Sequence, residues 1–387
     1  MSLLYPPKRG KISQPLSDRL RAYNALRIES PESSLHYSVP QVDSLDDFIP
    51  RVQPPLNEAA RHPSLDPLHT RLFRILRTSP KLEVECRNFS LHELPQYVAV
   101  SHHWGQESAT KVMSCNGHLL MVKPSLVECI LDVSIFTQME WFWLDAICIN
   151  QDDEKEKAIQ VPLLWKLFGD AESVLVYLGE ADGYTKIAAA AFRQCAEKCL
   201  TRIPDAKLHA ITTIWQKPWF SRLWTMQEAV LARNILFICG TYTISFDHLK
   251  YVHQLYATHG APSVDAIISL RNWRQHNGEA DAQYCGRILD LMVDQTCYLP
   301  VDRVFAVLGL FPQEIMSRVE VSYSRKRCRE YWTTYEQFTQ ALSEFFSERE
   351  GSVNEEIRRL ARATYSIPQL PTWCPNFNAR RYHHGQS

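Results

Sequence analysis

Glu228 is the residue with the most chemical promise, in the run Trp224-Thr225-Met226-Gln227-Glu228. Trp224 and Glu228 stand at i and i+4, so on a helix they share a face. Leu223, Met226, Ala229, Val230 and Leu231 around them are apolar, so the carboxylate borders a buried surface. A carboxylate desolvated beside an aromatic ring has a raised pKa or is held for one partner. The same pattern also fits a surface Glu paired with Arg222 or Arg233. Asp145 is a second candidate, a lone carboxylate in the apolar run Trp141–Ile149. A buried charge of this kind must be paired or hydrogen-bonded, either to a neighbouring loop or as a site carboxylate near the strand end. Asn150 and Gln151 follow it and offer amides, for turn and capping chemistry or for a ligand. The third candidate is the stretch from Ser101 through His102, His103 and Trp104 to Gly105, directly after the apolar run from Tyr97. In open α/β sheets ligands bind outside the carboxyl ends of strands. His102 and His103, being adjacent on a strand, point to opposite faces and do not serve one site.

These residues need elements to hold them. Trp141–Ile149 reads as a strand buried on both faces, closed by Asn150-Gln151-Asp152-Asp153. Glu154–Asp170 carries apolar residues at Ile159, Leu163, Leu164, Leu167 and Phe168, an amphipathic helix that Pro162 kinks or splits. Ser173–Leu178 is a second strand, ended by Gly179. Strand, helix and strand of this length form a βαβ unit, hence an α/β fold with a parallel sheet. Leu68–Leu76, Leu82–Cys86 and Tyr97–His102 read as further strands, and Asn116-Gly117 joins a hairpin of Lys111–Cys115 and His118–Val122. Pro124–Val133 reads as a helix with Pro at its first position. Helices are expected over 184–200, over 206–215 and from Pro218 through Ala232, then a strand over 234–239 with Tyr242–Ile244 returning beside it, and a helix over 246–258. Later residues read as helical, over 281–294, 301–310, 325–346 and 353–363. The expected organisation is an N-terminal arm over 1–67, partly ordered and helical over 16–28, then a domain over 68–260 and a helical extension over 261–387.

Composition narrows the function. With 45% hydrophobic and 22% charged residues the chain builds a sizeable core. A formal net charge of −1 leaves no electrostatic footprint for nucleic acid or an anionic membrane. No apolar run reaches the roughly 20 residues of a membrane span, and the N-terminus lacks a signal-peptide core. The 11 cysteines include no CxxC pair, which points to a reducing, cytoplasmic setting and away from a zinc site. GxGxxG, the P-loop and GxSxG are absent, so a dinucleotide fingerprint, a Walker site and a hydrolase elbow have no anchor.

Several motifs together resemble the fungal heterokaryon-incompatibility (HET) domain in order and spacing. They are Ser101, Trp104 and Gly105; Trp143, Asp145, Ala146, Cys148, Ile149, Asn150 and Gln151; Gln160 and Val161; Leu178 and Gly179; and Arg222, Trp224, Gln227 and Glu228. DRVFAVLGL at 302–310, VSYS at 321–324 and LPTWCPNF at 370–377 resemble segments that often follow that domain. His102-His103 departs from the family, which usually has Tyr and then a variable residue. HET domains are in turn similar to TIR domains. The resemblance implies a TIR-like, flavodoxin-like open parallel sheet with helices on both faces and added hairpins, followed by a mostly helical extension. It implies a cytoplasmic protein of nonself recognition and regulated cell death. In TIR enzymes that cleave NAD a Glu on the comparable helix is catalytic, which carried over implies Glu228. Ser101, Trp104, Gly105, Asp145, Asn150, Gln151, Arg222 and Trp224 would then bind substrate, with NAD as substrate and no cofactor. The alternative is a non-enzymatic module acting by assembly, as a homo-oligomer or with a partner signalling protein.

Overall fold

The computed structural model describes residues 65–255, 262–276, 281–347, 352–364, 368–372 and 374–378. The arm expected over 1–67 lies outside these apart from its last three residues, as does the chain's end. Nine strands form one mixed sheet: β1 (His69–Arg77), β2 (Glu83–Ser90), β3 (Tyr97–His102), β4 (Lys111–Cys115), β5 (His118–Val122), β6 (Trp141–Trp143), β7 (Ser173–Tyr177), β8 (Ile235–Cys239) and β9 (Tyr242–Ser245). Their spatial order is β5-β4-β2-β1-β6-β3-β7-β8-β9. The centre, β6-β3-β7-β8, is parallel throughout. Counted among themselves in chain order these four run second, first, third, fourth. That is the flavodoxin-like doubly wound order, in which the direction of winding reverses between the first and third strands. Here the reversal falls between β3 and β7. All six residues of β3 are buried, as are Val174–Tyr177 of β7, so both faces of the centre are covered, as a parallel sheet requires.

Antiparallel pieces flank this centre. β1 and β2 form a long ladder, and β1 meets β6 at Phe73 and Phe142. The β4–β5 hairpin turns through Asn116 and Gly117, whose φ angles of 51° and 82° are those a two-residue hairpin loop needs. β8 and β9 close the other edge. The expected βαβ unit is present, with β3 inserted between its two strands. Its crossover is split at Pro162: α3 (Glu154–Gln160) and α4 (Leu164–Asp170) are separated by a 3₁₀ turn over Val161–Leu163. The other helices of this half are α1 (Pro124–Ile135), α2 (Asp145–Cys148), α5 (Thr185–Glu197), α6 (Asp205–Trp215), α7 (Thr225–Leu231) and α8 (Phe246–Leu255).

Two expectations fail in detail. Trp141–Ile149 is not one strand. It stops at Trp143, and Leu144 O accepts from Ile147 N and Cys148 N at 2.9 and 2.8 Å, which winds Asp145–Cys148 into the short helix α2. An apolar run does not distinguish a buried strand from a buried helical turn. The segment from Pro218 is not one helix either. Pro218–Ser221 is a 3₁₀ turn, Arg222 is extended, and α7 begins at Thr225. The cause is tertiary: Thr296 N donates to Ser221 O at 2.7 Å and Leu223 N donates to Thr296 O at 2.8 Å. These bonds occupy backbone groups that a continuous helix would use internally.

The rest of the chain is helical: α9 (Pro262–His276), α10 (Ala282–Asp294), α11 (Asp302–Leu308), α12 (Gln313–Met316), α13 (Arg325–Arg329), α14 (Trp332–Ser347) and α15 (Ser352–Ala363). The single helix expected over 325–346 is two, α13 and α14. α9 has no counterpart among the expected helices. Val264, Ile267, Ile268 and Arg271 stand at i, i+3, i+4 and i+7 on one buried face, and the arginine in it interrupts the apolar stripe. Arg271 donates to Ala229 O and Ala232 O at 2.6 Å each, capping the last turn of α7.

Candidate functional site

Ser101, Arg222 and Glu228 meet at the carboxyl end of β3, beside the point where the sheet reverses, and Trp104 carries Asp145 next to them. Ser101 is 1% exposed and points toward α7. Its Oγ accepts from the Trp219 indole Nε1–H at 2.6 Å and lies in hydrogen-bond contact with the Glu228 carboxylate. An indole is a donor only. The Ser101 oxygen therefore accepts from Trp219, and its own hydrogen is left for Glu228. The result is a directed chain from indole to hydroxyl to carboxylate, with its donors fixed in advance.

Glu228 is buried, with 8% of its surface exposed. Burial pushes its pKa up to about 7, Asp145 adds to that, and Arg222 and the Ser101 hydroxyl oppose it. Arg222 precedes α7 and donates to His102 O at 2.9 Å. Its positive charge favours ionisation of Glu228 and Asp145 and disfavours protonation of His102 and His103. The surface pairing of Glu228 allowed by the residue pattern is replaced by a buried contact to Ser101.

Asp145 lies just beyond β6. Its Oδ2 accepts from Trp104 Nε1 at 3.0 Å and its Oδ1 from Ala146 N at 2.7 Å; burial raises its pKa. Gln151 Nε2 donates to Asp145 O at 3.1 Å. Asn150 does turn work, its Oδ1 accepting from Asp152 N at 3.2 Å. Gly105 has φ of 61°, the left-handed region that favours glycine. Lys123, just before α1, donates to Trp104 O at 3.0 Å and Gly105 O at 2.8 Å, fixing the loop. His102 is buried and His103 half-buried. Desolvation first, then Arg222, lowers their pKa values to about 3 and about 4, so both are neutral near pH 7.

Sequence reasoning missed several supports. Arg71, fully buried on β1, makes a two-pronged ion pair with Glu156 of α3, one prong at 2.9 Å, and donates to Cys148 O at 3.2 Å. Glu156 Oε1 also accepts from Asn150 N at 2.7 Å. This clamp ties the loop after β6 to the sheet. An arginine in the middle of an apolar strand was its only sequence signal. Trp219 was passed over as part of a helix. Asp302 of α11 is a buried carboxylate too, and the Tyr323 hydroxyl donates to it at 3.1 Å. Its pKa is pushed up to about 6, chiefly by burial.

Fold and site define a class first: an open α/β domain with a doubly wound parallel centre and a buried serine–carboxylate pair at its reversal point. Residues 97–228 match the family described as Heterokaryon incompatibility protein (HET). It is also 27% identical over 201 residues to Heterokaryon incompatibility protein 6, OR allele, of Neurospora crassa. That match takes in 39% of this chain and 30% of the relative's length. No solved structure matches the chain. The HET match begins at Tyr97, the first residue of β3, and ends on Glu228, so both partners of the serine–carboxylate contact lie within it. Among the described residues no helix is long and apolar enough to cross a membrane.

Proposed function

We propose that this chain acts in fungal nonself recognition through its HET domain, in the cytoplasm, and that the domain hydrolyses NAD+ at its nicotinamide–ribose bond with Glu228 as the reacting carboxylate. The observation that carries this reading is the contact of Glu228 with Ser101 at the carboxyl end of β3. Water and NAD+ give nicotinamide, ADP-ribose and a proton. The bond breaks through an oxocarbenium-like state, and a fixed carboxylate stabilises that cation or holds the ribose hydroxyls. With its pKa near 7, Glu228 is about half ionised at neutral pH. Trp224, one turn earlier, would wall the ring site, and the loop from Ser101 to Gly105 would supply polar and backbone groups. The resemblance to TIR domains motivates the substrate, and the four-strand order of the sheet centre supports it.

One observation favours a second reading, a TIR-like module that triggers death by assembling with itself or a signalling partner. Glu228 is only 8% exposed, so the carboxylate is closed off within the fold. The two readings separate on expression of the chain with NAD followed over time. NAD loss that disappears with Glu228→Gln supports hydrolysis. Equal loss with the variant removes Glu228 from the chemistry, and toxicity without NAD loss supports assembly.

A further inference from the structure

Cys86 and Cys115 stand on the parallel strands β2 and β4, and the backbone holds them in register. Ser114 N donates to Leu82 O at 2.9 Å and Asn116 N to Val84 O at 3.1 Å. These bonds set Cys115 opposite Val84. Side chains two apart on a strand share a face, so Cys86 lies on the face of Val84, diagonally beside Cys115. Asn116 fastens this diagonal. Its Oδ1 accepts from Cys86 N at 2.8 Å and its Nδ2 donates to Cys86 O at 3.2 Å, so one side chain continues the ladder past the end of β4. The Cys115 thiol donates to the Cys86 sulfur at 3.4 Å. We propose that Cys86 and Cys115 form an oxidation site for hydrogen peroxide, joined as an intrachain disulfide when the oxidant reaches Cys86.

The sulfurs are already in contact, and turning the two side chains about their Cα–Cβ bonds is the motion that takes them to the roughly 2.05 Å of an S–S bond. The two thiols differ in access, Cys86 being 7% exposed and Cys115 1%. Cys86 is therefore the sulfur that a small oxidant meets first, and Cys115 is the one that resolves it. The Cys86 sulfur attacks a peroxide oxygen, the O–O bond breaks, and the leaving hydroxide takes the thiol proton as water, which leaves a sulfenic acid on Cys86. The Cys115 sulfur then attacks the Cys86 sulfur. The S–S bond forms, the S–O bond breaks, and a second water leaves with the Cys115 proton. The two thiols give up two electrons, and hydrogen peroxide takes them. In a reducing setting such bonds are transient and sense oxidants. The bridge would close the ring of residues 86–115, which contains all of β3 with Ser101 and the loop to Gly105. Closing a loop removes freedom from the unfolded chain, so oxidation tightens this part of the fold whichever reading of Glu228 holds.

The test uses the full chain, reduced, freed of reductant and exposed to hydrogen peroxide in small excess. Remaining thiols are blocked with iodoacetamide and the protein is cut with trypsin, which separates Cys86 from Cys115 after Arg87 and Lys111. Mass spectrometry should find the two peptides joined, two hydrogens lighter than their sum, and dithiothreitol should part them again. The oxidised chain should unfold at a higher urea midpoint than the reduced one. Cys115→Ser should leave Cys86 as a sulfenic acid that dimedone labels. Cys199→Ser, which removes an exposed thiol, should leave the joining unchanged. Peroxide-treated wild type in which the two peptides stay separate and alkylated overturns the proposal, and so does a bridge that joins either cysteine to Cys199 instead. The peptide map is read on the wild type, so it decides the matter even where Cys115→Ser fails to fold.

Discussion

Replacing Glu228 by Gln keeps the shape of the site and removes its proton. In the folded chain this carboxyl titrates at about 7 against an ordinary value of 4.5. A carboxyl whose pKa is raised by folding holds its proton more tightly in the native state. Its contribution to stability is therefore fully present below pH 4.5 and is lost as pH rises through 7. The span of about 2.5 pH units, at about 1.36 kcal/mol each, gives about 3 kcal/mol. Wild-type unfolding free energy should fall by that amount between pH 4.5 and pH 8 from this group alone, and Glu228→Gln should lack the fall. Subtracting wild type from variant cancels the other titrating groups, Asp302 among them. The assay is urea unfolding of both proteins at half-unit steps across that range, followed by far-ultraviolet circular dichroism. The difference should grow in the variant's favour with pH, with its midpoint between the two pKa values. A difference that stays flat from pH 4.5 to 8 refutes the burial of an ionising Glu228 beside Ser101.

Two other substitutions probe the supports. Arg71→Met leaves Glu156 buried without its guanidinium and should cost about 3–5 kcal/mol, read as a large drop in urea midpoint, whereas the pair replacement Arg71→Met with Glu156→Leu should recover most of it. Ser101→Ala strands the buried Trp219 N–H and removes the donor to Glu228; it should cost about 1–3 kcal/mol and move the Glu228 titration above 7, seen by infrared spectroscopy of the carboxyl stretch.

How much of this was legible depended on the range of the interactions involved. Asn116-Gly117 and the split at Pro162 were readable because local backbone preference decides both. The parallel centre was readable from one βαβ unit, although no local pattern said that β3 would lie between β6 and β7. The strand over 141–149 and the helix from Pro218 were misread because partners far along the chain decide them: Arg71 binds the Cys148 carbonyl, and Thr296 takes the backbone around Arg222. Glu228 was found from its apolar surroundings and its resemblance to a family motif. Its contact to Ser101 was not visible, since nothing local links residues 127 apart. Trp219 carried no spacing signal, because it meets the site through a single hydrogen bond from a different element.

That separation of 127 residues has a consequence in time. A chain made from its N-terminus lays down β3, with Ser101, long before the helix that carries Glu228. The serine must wait while β6 and β7 are added on either side of it and α7 is delivered. Until then the Ser101 hydroxyl lacks its Glu228 partner. The site is thus assembled only by near-complete folding of the domain, and a chain interrupted before residue 228 lacks it entirely.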